Sequence, residues 1–217
     1  MHDYRETLLR IYEILYRIFG PQHWWPGDSP LEVSVGAILT QNTNWTNVER
    51  AINNLKRHGV MNIKRLHEIP VHELALLIKP AGYFNVKAKR LKEFIGFLVT
   101  NYKGDMKRMA KEDTPILRDK LLGINGIGRE TADSILLYAI GKPVFVIDAY
   151  TRRVISRHGI TGKKRDYDEI QEIFHKNLPH DVRLFNEYHA LFVRVGKDFC
   201  KPLPRCEGCP LKVIPSP

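Results

Sequence analysis

Apolar residues recur at helical spacing along nearly the whole chain and at strand spacing almost nowhere. Leu8, Ile11, Tyr12, Leu15 and Phe19 share one helical face, and Gly20-Pro21 ends that helix. Ser29-Pro30-Leu31-Glu32 has the form of a helix start, with a capping Ser, Pro at the first helical position and Glu three residues on. The helix it opens is predicted to run through Gln41. Thr46 and Glu49 repeat the capping-box spacing ahead of Ala51, Ile52 and Leu55, with Gly59 as the stop. Shorter helices are predicted over 62–69, 71–79 and 85–100, separated by Pro70 and by Pro80-Ala81-Gly82. Thr114-Pro115 opens another, which the stretch from Gly123 to Gly128 breaks, and a helix over 129–140 ends at Gly141-Lys142-Pro143. Three more are predicted near 149–158, 166–177 and 183–197. Val144-Phe145-Val146-Ile147 has the composition of a short strand, but the chain offers it no partner. The expected class is all-α.

Charge narrows the picture. Lys and Arg number 34 against 24 Asp and Glu, a formal net charge of +10. Such an excess suits a polyanionic partner, because each phosphate that is neutralised releases counterions; a basic protein with no nucleic-acid role is the alternative. No apolar run approaches the roughly 20 residues of a membrane span. The mixed-charge start Met1-His2-Asp3-Tyr4-Arg5-Glu6 lacks the basic-then-apolar pattern of a signal peptide, so the expected location is the cytoplasm. The three cysteines all lie between 200 and 209. An odd, clustered set points to metal ligation rather than to a disulfide framework.

The chemistry concentrates in Leu121-Leu122-Gly123-Ile124-Asn125-Gly126-Ile127-Gly128-Arg129-Glu130-Thr131-Ala132, where a helix runs into Gly-x-Gly and a second helix begins at once. Two glycines one residue apart permit a tight turn. Backbone N–H groups at the new helix's start can then meet a phosphate without any side chain. An ordinary turn between helices, with Gly as a cap, is the plainer reading of these glycines alone. The segment resembles the helix-hairpin-helix signature of the endonuclease III superfamily of DNA glycosylases, Leu-Pro-Gly-Val-Gly-x-x-Thr-Ala, with Asn125 where that family usually has Pro. Val146-Ile147-Asp148, then Arg153-Val154 and Arg157, look like the family's Val-Asp and following Arg residues at the family's distance. Ala37-Ile38-Leu39-Thr40-Gln41-Asn42-Thr43 is similar to its Leu-Ser-x-Gln-x-Thr segment. The resemblance covers about residues 31 to 209.

The resemblance implies roles residue by residue. Asp148 is the essential acid, whose carboxylate stabilises the positive charge that grows on the sugar as a base departs and orients or deprotonates the attacking water; an Asp there also suits an N-cap for the helix from Ala149. Bifunctional members carry a Schiff-base Lys eighteen residues before the acid, and here that position is Glu130. Gly126, Ile127, Gly128, Arg129 and Arg153 are the implied DNA contacts, and Gln41 would wedge into the gap left by a flipped base. Trp24-Trp25-Pro26, Asp148-x-Tyr150, Arg129-Glu130-Thr131-Ala132-Asp133 and the stretch from Lys79 to Leu91 are similar to the 3-methyladenine DNA glycosylase branch. In that branch aromatic rings sandwich the flipped base, and the matching positions are Trp25 and Trp45. Cationic alkylpurines gain a cation–π term on such rings; plain packing is the alternative for both Trp.

Cys200-x5-Cys206-x2-Cys209 resembles the C-terminal iron–sulfur loop of endonuclease III, whose four Cys follow x6, x2 and x5 spacing. The first gap is one residue short, and no Cys stands in 213–217 where the fourth is due. The resemblance implies a [4Fe–4S] cluster with a non-Cys ligand at the fourth iron. Zn²⁺ on three Cys with a His or water, or a metal-free loop retained for Lys201, Arg205 and Lys212, are the alternatives.

The whole is read as an all-α, two-lobed glycosylase: a six-helix lobe over 31–142 with its hairpin at about 114–140, and a second lobe from 1–30 plus 143–217 that carries the cysteine loop. The expected activity is hydrolysis of the N-glycosidic bond of a flipped alkylated purine in double-stranded DNA, without lyase activity, by a monomer working on the nucleoid. The alternatives are a bifunctional glycosylase/abasic-site lyase on oxidised pyrimidines, a mismatch uracil or thymine glycosylase, and a non-catalytic DNA-binding module.

Overall fold

The computed structural model describes residues 4–25, 27–162 and 165–214. Pro26 of the Trp24-Trp25-Pro26 motif and residues 215–217, where a fourth cysteine would fall, lie outside the described residues. Among the described residues there are twelve α-helices and no strand: α1 (Tyr4–Phe19), α2 (Pro30–Leu39), α3 (Trp45–Arg57), α4 (Ile63–Glu68), α5 (Val71–Leu77), α6 (Phe84–Tyr102), α7 (Met106–Ala110), α8 (Thr114–Leu122), α9 (Arg129–Ser134), α10 (Ala149–Arg157), α11 (Tyr167–Asn177) and α12 (Val182–Asp198). They form two units, one from Trp25 to Lys142 and one that joins the residues up to Trp24 with those from Pro143 onward.

The unit from Trp25 to Lys142 is built around α2, which is buried at every position from Leu31 to Leu39 and is packed by α3, α6 and α9. The Ser29 side chain accepts the N–H of Glu32 at 3.2 Å, as its sequence foretold. Glu32 is itself buried, and Lys56 neutralises it at 2.7 Å. The cap of α3 differs from the expectation at Thr46. Asn44 is the N-cap and accepts the N–H of Asn47, which makes Trp45 the first helical residue. Helix α7, capped by Asp105, has too short an apolar pattern to read from sequence. The helix expected over 129–140 is α-helical only to Ser134 and then widens into a π-helical turn over Ile135–Ala139. Buried Asp133 receives two hydrogen bonds from Arg118, at 2.7 and 3.0 Å, and this pair joins α9 to α8 on either side of the hairpin.

In the other unit, aromatic residues fill the core: Phe145 stacks on Phe174 at 3.9 Å between centroids, and Tyr188 stacks on Phe192 at 4.7 Å. The extended stretch of residues 144–147 makes no ladder. Its backbone bonds instead to side chains of α11: the Phe145 N–H donates to His175 Nε2 at 2.9 Å, Gln171 donates to the Phe145 carbonyl at 2.6 Å, and the Ile147 N–H donates to the Tyr167 hydroxyl at 3.2 Å. Buried backbone groups must be paired; here polar side chains do what a neighbouring strand would do. The segment delivers Asp148 to the start of α10.

Candidate active site

The hairpin turns where its glycines predict. Gly126 has φ +86, and a Cβ there would lie 2.3 Å from Cγ of Arg90, so both backbone conformation and close approach demand glycine. Gly128 caps α9 in extended backbone and has no atom within 4 Å of where a Cβ would stand. Its surroundings leave the start of α9 approachable. Ile127 is a core residue, 4% exposed, whose N–H closes the turn on the Ile124 carbonyl at 3.0 Å. Arg129 and Glu130 are exposed in the first turn of α9.

Gln41 is tied to this hairpin. Its amide nitrogen donates to the Gly126 carbonyl at 3.0 Å and to the Thr131 hydroxyl at 2.9 Å, and its oxygen accepts from Arg90. Both amide protons and the carbonyl are therefore engaged with the hairpin side of the unit. A wedge role requires these bonds to be exchanged for DNA.

Trp25 and Trp45 do meet, but not as parallel walls. Their rings pack edge to face, 5.3 Å between centroids and 87° between planes, over Gly36 of α2. A Cβ at Gly36 would come within 3.3 Å of Trp25 Nε1 and 3.4 Å of Trp45 Cη2, so the glycine gives both indoles room. A third ring, Tyr138, lies 5.0 Å from Trp25. Sequence reasoning missed Tyr138, which lies in the π-helical turn and is far from both tryptophans in the chain.

Tyr83 was also passed over. It is 72% exposed with φ +46, an unusual backbone for a non-glycine residue. The turn that holds it is anchored by Lys87, a lysine only 1% exposed, whose ammonium donates to the Ala81 carbonyl at 2.7 Å and to the Leu39 carbonyl at 2.8 Å. One buried cation thus ties the end of α2, two residues before Gln41, to the turn before Tyr83. Burial, with a smaller contribution from nearby Arg90, lowers the Lys87 pKa to about 8. A lysine whose folded pKa lies below its ordinary 10.5 binds fewer protons folded than unfolded between those values. Stability attributable to Lys87 accordingly rises as pH increases from about 8 to about 10.5. Denaturant titrations across this window should show the wild type gaining stability relative to Lys87→Met; a pH-independent difference contradicts the assignment.

Asp148 is the N-cap of α10, its Oδ1 accepting the Thr151 N–H at 2.7 Å. Oδ2 faces His189 Nε2 of α12 at 3.6 Å, and the two side chains are 12% and 5% exposed. Burial pushes the Asp148 carboxyl pKa up, but His189 and the Thr151 N–H together outweigh it and hold the group below the usual carboxylate range. Tyr150 packs on Gly196 of α12, where a Cβ would fall 2.6 Å from Tyr150 Cδ1. Arg153 lies over the Tyr150 ring and donates to the carbonyls of Cys200 and Gly196, so its guanidinium is engaged within its own unit.

The sequence model of the HhH-GPD superfamily base excision DNA repair protein matches residues 35–180. A Methanocaldococcus jannaschii protein that bears the name DNA repair glycosylase is 53% identical over 209 residues, 95% of this chain and 94% of its own. The chain belongs to the HhH-GPD superfamily and is a base-excision DNA glycosylase. Endonuclease III of Thermotoga maritima is 32% identical to this glycosylase over 184 residues, 84% of the chain and 81% of its own. The H. pylori 3-methyladenine DNA glycosylase, solved bound to 1,N6-ethenoadenine, superposes with a TM-score of 0.77 at 30% identity, covering 90% of this chain and 98% of its own. Double-stranded DNA is the partner that the helix-hairpin-helix module serves. No helix among the described residues is long and apolar enough to cross a membrane.

The cysteine loop of the glycosylase corrects the expectation of a cluster. Cys200, Cys206 and Cys209 open onto one cavity with Arg157, His158, Arg205 and Lys212. Yet no group of three or more His, Cys, Asp or Glu among the described residues is arranged to hold a metal ion, and the chain has only these three cysteines. Neither the [4Fe–4S] cluster nor the zinc alternative fits. Cys206 is exposed, Cys200 Sγ accepts from Arg157 at 3.3 Å, and burial pushes the Cys209 thiol pKa up, which favours the protonated form that a metal ligand is not. The loop is held by arginines instead: Arg157 donates to the carbonyls of Lys201 at 2.6 Å and Pro202 at 2.9 Å, beside the Arg153 bond to Cys200. Incubation with a strong chelator should leave both Tm and base release unchanged, with no visible charge-transfer absorbance in the purified protein. A chelator-induced fall in Tm contradicts this account.

Proposed function

We propose that this glycosylase is monofunctional and excises alkylated purines from duplex DNA in the cytoplasm, leaving an abasic site in an intact strand. The observation that carries the reading is Glu130, exposed in the first turn of α9, at the position where bifunctional relatives keep a lysine. A carboxylate cannot form a Schiff base, so water adds to the sugar carbon and the base is released from an intact strand. In this reading Asp148, kept ionised, stabilises the positive charge that develops at the sugar and orients the attacking water.

The substrate class follows from the rings and the leaving group. A purine alkylated at N3 or N7 carries positive charge and departs readily, so Asp148 and water suffice without strong acid catalysis of the base. Trp25, Trp45 and Tyr138 supply electron-rich faces on which such a cation gains beyond simple stacking. To hold a base between the indoles, Trp25 and Trp45 must part from their edge-to-face contact. The 30% identical H. pylori protein is a 3-methyladenine DNA glycosylase, a relative whose name carries an alkylated purine.

The test is a duplex treated with a methylating agent. The expected result is release of free methylpurine and breaks that appear only after alkali or heat. Breaks without alkali, or a protein–DNA adduct trapped by borohydride, overturn the monofunctional assignment. Release of uracil or thymine from mismatches, with methylpurines untouched, overturns the substrate class.

A further inference from the structure

We propose that His189 is a positioning residue for the reaction: from α12 it faces the second oxygen of the Asp148 carboxylate and limits where that carboxylate can point. The proposal rests on Asp148 being the acid of the proposed function. It begins from an anomaly in α12, whose buried face is otherwise apolar and aromatic, with Phe185, Tyr188, Ala190, Leu191 and Phe192. An imidazole in that setting costs desolvation unless it meets a polar partner. It is 4% exposed, and its Nε2 approaches Asp148 Oδ2 at 3.6 Å.

The two oxygens of Asp148 have different tasks. Oδ1 is engaged in the helix cap through the Thr151 N–H. Thr151 holds the first oxygen, and His189 confronts the other one and limits rotation about the terminal torsion. The remaining exposure of the Asp148 side chain, 12%, leaves the carboxylate approachable.

Several charged or titratable groups on the packed elements are directed elsewhere. On α10, Arg152 donates to the Arg165 carbonyl at 2.6 Å, Arg153 to the Cys200 and Gly196 carbonyls, and Arg157 to Lys201 and Pro202. On α12, Arg194 pairs with Asp198, Lys197 lies over the Trp24 ring and Glu187 accepts the Gln22 N–H. On α11, the Tyr167 hydroxyl takes the Ile147 N–H. His189 is the titratable group that acts on Asp148. Without it, the burial that raises the Asp148 pKa is opposed by Thr151 alone, and the pKa rises.

The experiment compares wild type, His189→Gln and Asp148→Asn in single-turnover release of methylpurine across pH, with DNA affinity measured in parallel. His189→Gln should bind DNA as wild type does but release base roughly tenfold more slowly at neutral pH, where Asp148 is ionised in both proteins and only its orientation differs. Its acid limb should lie at higher pH than that of wild type. An unchanged rate and acid limb overturn the proposal. Release by Asp148→Asn as fast as wild type overturns the reading beneath it, a separate outcome. Should His189→Gln not fold, carboxyl-carbon NMR of the wild type decides, with the Asp148 signal assigned by its loss in Asp148→Asn. That signal should titrate below the ordinary carboxylate range, and a signal titrating at or above that range refutes the pairing.

Discussion

Asp148→Asn will bind methylated duplex DNA and release almost no base, with a single-turnover rate lower by roughly 10²–10³-fold, the size of effect seen when one preorganised electrostatic group is removed from a transition state. The substitution is informative because it separates two roles that the structure combines in one side chain. Oδ1 of Asp148 caps α10 by accepting the Thr151 N–H at 2.7 Å, and asparagine caps a helix about as well as aspartate. The start of α10 should stay formed and Tm close to that of wild type. What asparagine lacks is charge. A loss of excision with unchanged Tm and DNA affinity assigns the charge to catalysis. A loss of Tm with the remaining folded protein fully active assigns Asp148 to capping alone.

Gly126→Ala should be the most damaging small substitution in the hairpin. The residue sits at φ +86, where any side chain is strained by about 1–3 kcal/mol. The new methyl would also meet Arg90 Cγ at 2.3 Å. Arg90 donates to the oxygen of Gln41, and Gln41 in turn holds the Gly126 carbonyl and the Thr131 hydroxyl. Displacing Arg90 therefore loosens the tie that shapes the turn. Expected are a fall in stability of about 1–3 kcal/mol and a fall in DNA affinity of about tenfold for each 1.4 kcal/mol of binding lost. Gly128→Ala is the control: its extended backbone suits alanine and its surroundings are open. It should keep wild-type stability, and any affinity it loses reports how near the DNA backbone comes to that residue. Equal, wild-type-like affinity in both variants would remove the hairpin from the DNA interface.

Much of this protein is local, and what is local was legible. The all-α class followed from apolar spacing, and the Ser29 cap was read from four consecutive residues because capping is a contact between neighbours. The turn at Gly126 followed from Gly-x-Gly, and the family from the order of the Gln41 segment, hairpin and Asp148. Even so, local rules misplaced the cap of α3, since Asn44 and Thr46 both qualify by residue type and the helix starts after Asn44. The helix over 129–140 was read as regular because nothing in its composition announces a π-helical turn.

By itself, then, the sequence determined the helical class, the hairpin, the candidate acid and the absence of lysine at position 130, all of which depend on residue identity at short spacing. Tertiary structure decided what depends on residues far apart in the chain. Residues 144–147 stay extended without a strand partner because side chains of α11 satisfy them. Gln41 is bonded across 85 positions to Gly126, and Trp25 meets Trp45 edge to face. Arginines, not a metal, hold the cysteine loop. His189, an unremarked residue on the apolar face of an amphipathic helix, confronts Asp148 only because α10 and α12 pack together. Such contacts are set by which helix faces meet, and no spacing rule along a single chain contains that information.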